Sequence, residues 1–291
     1  MTQQTNLNVS PYFDDFNVSN DYYKVLFKPG YPVQARELTG LQSILQNQIE
    51  KFGQHFFKEG SKIIPGNTSY QRQYFGVEIN STHLGVPVES YIDQLVGQKI
   101  VGLQSGITAV IDKVLKAEDS ERNHTTLYVK YHSSNVNDNH LGVFGDGELL
   151  AADSDITSGP LNNAFIPAGE SFASAVSSNA SSTGTSFSIS EGVYFIRGIF
   201  VNVNTETIIV SQYTNTPTGR IGLRVDEETI NSDEDPSLTD NSKGFNNFAA
   251  PGADRLKITC SLQFKESGDF NDDNFVQIAE VKQGRLISHQ V

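Results

Sequence analysis

A chain of 291 residues, 37% hydrophobic and 19% charged, rich in Gly, Tyr and Phe and without Trp, suits a turn-rich β protein of about two domains. Its net charge of −13 argues against a non-specific grip on phosphate backbones or anionic lipid, and so against nucleic acid as a partner. The single cysteine, Cys260, allows no intramolecular disulfide and, lying in an apolar run, reads as a buried structural thiol suited to a reducing cytosol.

The N-terminal stretch MTQQTNLNVSPYFDDF has neither a charged n-region nor an apolar h-region, and no run reaches the length of a membrane span, so membrane insertion is not expected. Residues 1–31 form an aromatic N-terminal arm in which Tyr12, Phe13, Phe16, Tyr22 and Tyr23 are interleaved with Asp14, Asp15 and Asp21. So many large rings argue against a free tail; a partner-binding arm is expected, lying on the helix that follows, a neighbouring subunit or a different protein. Within it YKVLFKPG reads as one short strand closed by a Pro-Gly turn.

Residues 32–60 are the only stretch of helical period and length. Leu38, Leu41, Leu45, Ile49, Phe52 and Phe56 recur at steps of three and four, and the other face carries Gln42, Gln46, Glu50, Lys51, Gln54 and Lys58. Pro32 fits the start, and Gly60 followed by Pro65 fits the stop. The stripe follows a heptad seam with Leu38, Leu41, Leu45 and Phe52 at a and d positions and the polar Gln48 and His55 at d, a pattern that weakens a seam but fixes register. It predicts an oligomerisation helix; the alternative is a helix lying on a sheet of its own subunit. Arg36 with Glu37, and Arg255, are candidates for intersubunit ion pairs, against exposed pairs that contribute little.

Residues 61–85 read as a short β connection. Residues 86–152 read as a small antiparallel β-barrel module with a tight turn at Gly145-Asp146-Gly147. The Ser-, Asn- and Thr-rich residues 153–190 read as a flexible loop or hairpin tip, and 191–291 as a second β domain. In that domain Val193–Val203 and Thr207–Tyr213 are expected as strands, then IGLRVDEETI, RLKITCSLQFKE and FVQIAEVKQGRLI. The end on Val291, directly after a β run, hints at a longer polypeptide.

Asp269, Asn271, Asp273 and Glu280 occupy the first, third, fifth and twelfth positions of an EF-hand-like calcium loop. Asn274 stands where Gly is expected and a strand follows, which favours a polar hairpin loop. His132, Asp138 and His140 share one Asn-rich stretch and offer borderline ligands, against a solvated loop. There is no nucleophile elbow, phosphate-cradling Gly loop or zincin helix, and the adjacent carboxylates Glu227 and Glu228 would face opposite sides of a strand. No catalytic residue and no cofactor are expected.

Two stretches carry a family likeness. The run NLNVSPYFDDF…YYKVLFKPGYPVQARELTGLQSILQNQIEKFGQHFFKEG, Asn6 to Gly60, resembles the N-terminal signature of structural proteins from tailed bacteriophages, common in cyanophages and associated with baseplates and the attachment ends of tail fibres. EGVYFIRGIFVNV followed by LTDNSKGFNNFAAPGADRLKI is similar to a later block of the same family, and Val86 to Ala152 is similar to small β domains inserted in phage fibre proteins. The resemblance implies a homotrimeric, non-enzymatic virion protein, made in the bacterial host cytoplasm and bound to itself and to other tail, baseplate or fibre proteins. A receptor-binding tail protein recognising host glycans, or a glycan-cleaving tailspike, are the alternatives. The expected architecture is mainly β with one long N-terminal α-helix, multi-module, with small antiparallel barrel or sandwich domains, and trimeric.

Overall fold

The computed structural model describes residues 3–64, 66–133, 142–157, 165–268 and 272–288. Among them a single α-helix, α1 (Ala35–Phe56), precedes a series of antiparallel strands. In chain order these are β1 (Ser61–Ile64), β2 (Thr68–Ile79), the small pair β3 (Thr82–His83) and β4 (Val86–Pro87), β5 (Lys99–Gly102), β6 (Thr108–Leu115), β7 (Thr125–Ser133) and β8 (Leu149–Ala152). There follow the small pair β9 (Ile156–Thr157) and β10 (Phe165–Ile166), then β11 (Ser171–Ser174), β12 (Ser181–Ile189), β13 (Gly192–Ile196), β14 (Ile199–Val203) and β15 (Glu206–Ser211). The last are β16 (Gly219–Ile230), β17 (Arg255–Glu266), β18 (Phe275–Lys282) and β19 (Arg285–Ser288). The described residues are therefore mainly β with one α-helix, as composition and periodicity predict.

The chain forms two compact units, Met1–Ser69 with Ser188–Ile208 and Thr218–Val291, and Tyr70–Phe187 with Ile209–Pro217. The first holds α1, a three-stranded sheet β1-β13-β14 and a four-stranded sheet β17-β16-β18-β19. Tyr194, Phe195, Ile196, Ile221, Leu223, Val225 and Val281 fill its core. In the second, an eight-stranded sheet runs in the order β11-β8-β5-β6-β7-β2-β12-β15. Period-2 alternation sends Val77, Ile79, Ile100, Ile111, Leu127 and Val129 into one apolar core with Phe144 and Phe172. On the other face Tyr74 and Tyr128 stack at 4.7 Å, and the Tyr74 hydroxyl donates to Asp112 at 2.7 Å.

Several sequence expectations are corrected. The module expected at 86–152 is not a closed barrel: its strands sit within the larger sheet, which continues past β2 into β12 and β15. A single bridge, Ile79 to Ala175, links the end of β2 to the residue after β11. The loop expected over 153–190 contains four strands, and β12 is long because Gly184 lets the neighbouring strand approach: a Cβ there would lie 2.2 Å from the Ser211 carbonyl oxygen. The single strand expected at Val193–Val203 is a hairpin, turned at Arg197 and Gly198 with φ of 50° and 74°. FVQIAEVKQGRLI is likewise two strands, turned at Gln283 and Gly284 with φ of 48° and 70°. The run YKVLFKPG forms no strand.

Helix α1 occupies residues 35–56 of the 32–60 expected. Glu37 accepts from the Gln34 N–H at 2.9 Å, capping the start. Phe57 turns extended at the other end, its ring 5.8 Å from Phe195 and 6.2 Å from Phe200. The helix lies on its own subunit through a small-residue face. Gly40, Ile44 and Gly53 are buried, Gln46 donates to the Gly198 carbonyl at 3.0 Å, and Ser43 donates to Asp14. A Cβ at Gly53 would lie 2.4 Å from the Phe195 ring. Gly53→Leu should therefore lower the free energy of unfolding by about 1–3 kcal/mol despite leucine's better helix propensity, as read by urea melts.

Candidate functional site: the outward helix face and the arm

With the small face spent on the subunit, the apolar ridge is left in solvent. Leu38 is 51% and Phe52 66% exposed, and Leu45, Ile49 and Phe56 are exposed as well. Gln48 and His55, at the predicted d positions, are also exposed, and Leu41 is half-buried. In heptad terms a, d and e face outward, while Gly53 and Gln46 at b meet the β13–β14 hairpin and Gly40, Ser43 and Ile44 at c, f and g lie against the arm. The outward residues, Leu38, Leu41, Gln42, Leu45, Gln48, Ile49, Phe52, His55 and Phe56, include no Asp, Glu, Lys or Arg. The Phe52 and Phe56 rings lie 5.0 Å apart and His55 meets Phe56 edge-on at 5.0 Å, so an aromatic cluster ends the ridge.

The arm divides into a docked part and an exposed part. Gln4 and Thr5 donate to the Glu227 carboxylate, and Asp15 pairs with Arg36 at 3.2 Å. Tyr12 donates to Asp254 at 2.5 Å, a hydrogen bond that raises its pKa. Arg36 is thus paired within the chain, and Arg255 donates to the backbone oxygens of Ala253 and Asp254. Phe16 is half-buried, and with Val18, Tyr22 and Tyr23 it lines a small hollow against Ile44, Asn47, Gln48 and Lys51 of α1. Phe13 is exposed, as are Tyr22 and Tyr23, Tyr22 at 70%.

A buried ion pair, not anticipated from the sequence, holds this assembly of elements. Arg197 donates to Glu227 at 2.6 Å, the two side chains 8% and 5% exposed. The same guanidinium donates to the Asp273 carbonyl at 2.9 Å and to Asn274 at 2.7 Å, while the Arg197 N–H donates to Glu59 at 2.7 Å. Burial works to raise the Glu227 pKa, but hydrogen bonds from Thr5, Gln4 and Arg197 outweigh it and hold the carboxyl below its ordinary value. The signal available in the sequence was an Arg-Gly step inside an apolar run. As expected for neighbours on a strand, Glu228 faces the other way, to Lys257 at 2.8 Å.

The remaining candidates are dispersed. Asp269 and Asn271 of the calcium pattern lie outside the described residues, as do Asp138 and His140; His132 is on β7. Asp273 uses its carbonyl on Gln4 and Arg197, and Glu280 pairs with Lys282 at 3.0 Å. Among the described residues no three His, Cys, Asp or Glu side chains are grouped to hold a metal. Cys260 is half-buried rather than fully buried, and desolvation pushes its thiol up to about 11.

Removing one partner of the buried pair should cost more than losing an exposed one. Arg197→Met should destabilise the first unit by about 3–5 kcal/mol, since Glu227 is left charged and buried. The Glu227 contribution is full above its unfolded pKa and is lost as pH falls through the depressed folded value. Urea unfolding at pH 7 and pH 3 should therefore show a smaller pH difference in Glu227→Gln than in the parent chain.

The chain matches a family described as a domain of unknown function, DUF4815, over residues 10–84 and 168–291. Neither a curated protein nor a solved structure matches it. The two matched segments take in most of the docked arm, the whole of α1 with its outward face, and the Arg197–Glu227 pair, and together they span about two thirds of the chain. The protein belongs to the DUF4815 family.

Proposed function

We propose that this chain is a non-enzymatic structural protein of a tailed-phage virion, working as a homotrimer in the baseplate periphery or the tail-fibre attachment region. The observation that carries the reading is the inverted helix: its small face contacts the subunit, and its apolar heptad face lies in solvent. Large apolar patches on soluble proteins mark contacts, and a heptad repeat is complementary to other copies of itself. Gln48 and His55 at d would set register and strand number at some cost in stability. The place in the virion rests on the resemblance of Asn6–Gly60 and the later block to phage structural proteins, with other tail, baseplate or fibre proteins as further partners.

Burial of each large side chain on this face would contribute about 1.5–3 kcal/mol before ordering costs. Sedimentation equilibrium of the purified chain should give three times the chain mass. Leu45→Glu with Phe52→Glu should give single chains whose thermal unfolding is otherwise unchanged, because both positions are exposed in one copy. A parent chain that stays single at every concentration would refute the trimer. Cross-linking mass spectrometry of intact particles would decide between baseplate and fibre attachment.

A further inference from the structure

The segment Tyr22–Gly30, between the docked arm and the helix, has strand-forming residues but no strand. Tyr22, Tyr23, Leu26 and Phe27 are exposed, Leu26 at 74%, and among the described residues no backbone N–H from Tyr22 to Gly30 bonds to another backbone group. Tyr23 lies by the hollow beside Gln48 and Lys51, and Gln34 caps the helix start. Residues 24–33 therefore connect that hollow to the start of α1, and Tyr31 and Val33 among them are exposed.

We propose that Tyr22–Phe27, which a turn at Pro29-Gly30 closes through the Tyr31 N–H to the Lys28 carbonyl at 3.3 Å, is a strand completed in trans: it pairs through its main chain with a second copy of this chain, adjoining the helix contact. The proposal rests on the homotrimer reading and specifies what the arm does within it. Extended segments with unmade backbone bonds bind by adding to a sheet edge, and alternate side chains then fill pockets on either side. Two observations select a second copy as the occupant. The segment is continuous with a heptad face that matches itself, so a sister chain is already brought within reach. Residues 22–33 carry Lys24 and Lys28 and no acid on a chain of net charge −13, so the segment is electrostatically matched to the remainder of another copy.

The test is hydrogen–deuterium exchange of the full chain across the concentration range in which it assembles, with sedimentation on the same samples. Alternate amides of Tyr22–Phe27 should be protected in the assembly and exchange freely in the single chain. Proline removes one N–H, and strand pairing uses alternate residues. Either Val25→Pro or Leu26→Pro should then weaken assembly about tenfold and the other much less, without altering the melting of a single copy. An assembly in which these amides exchange as freely as in the single chain overturns the proposal and leaves the homotrimer standing. A chain that never assembles overturns both.

Discussion

The Arg197–Glu227 pair is the contact on which the first unit depends. Its partners come from the N-terminus, the residues after α1, the β13–β14 turn, β16 and the entry to β18. An ion pair this buried carries a desolvation cost of several kcal/mol per ion, offset only when the remaining donors and acceptors are also satisfied. Here the guanidinium donates to two acceptors besides Glu227, the Asp273 carbonyl and Asn274, and the carboxylate receives Gln4 and Thr5 as well. The pair also fixes the hairpin that supports α1, since Phe195 faces Gly53 and the Gly198 carbonyl receives Gln46, on either side of Arg197. The polar contact at the hairpin tip therefore places the groups against which α1 packs.

That orientation runs against the usual economy of an amphipathic helix, which turns its largest apolar side chains to its own core. In α1 the close approach at Gly53 leaves no room for a large side chain towards Phe195, so only the small face can meet the sheet. Nothing in the helix compensates for the exposed leucines and phenylalanines inside one copy. A contact outside the copy is the remaining way to remove that surface from water, and this physical deficit supports the proposed assembly more directly than any single residue does.

Periodicity made the helix, its stripe and the β character of the remainder legible in the sequence. It could not say which face turned inward, because that depended on a steric fit between Gly53 and Phe195, residues far apart in the chain. The two missed hairpins share one cause: Arg197-Gly198 and Gln283-Gly284 place a non-glycine at positive φ without the Asn or Asp that usually marks such a turn. β12 was hidden because Ser, Thr and Gly resemble a loop, yet Thr185, Ser186 and Phe187 are buried in a tight ladder. Arg197 itself was invisible as a site residue for the same reason that the hairpin was.

The family match is interrupted at 85–167, and the sheet shows what that interruption means. β5, β6, β7 and β8 come from the unmatched stretch and stand side by side between β11 and β2, which the family shares. The ends of the stretch meet, His83 lying 3.0 Å from the Ser171 hydroxyl, and the Ile79–Ala175 bridge already joins β2 to the end of β11. A block with adjoining ends, contiguous in the ladder, is the arrangement expected of strands inserted into an older sheet, because such a block can enter without rerouting the flanking chain. The outward helix face, the arm from residue 10 onwards and the Arg197–Glu227 pair all lie in the shared part. The strands of 85–167 lie outside the family match, whereas the features that support the proposed assembly lie within it.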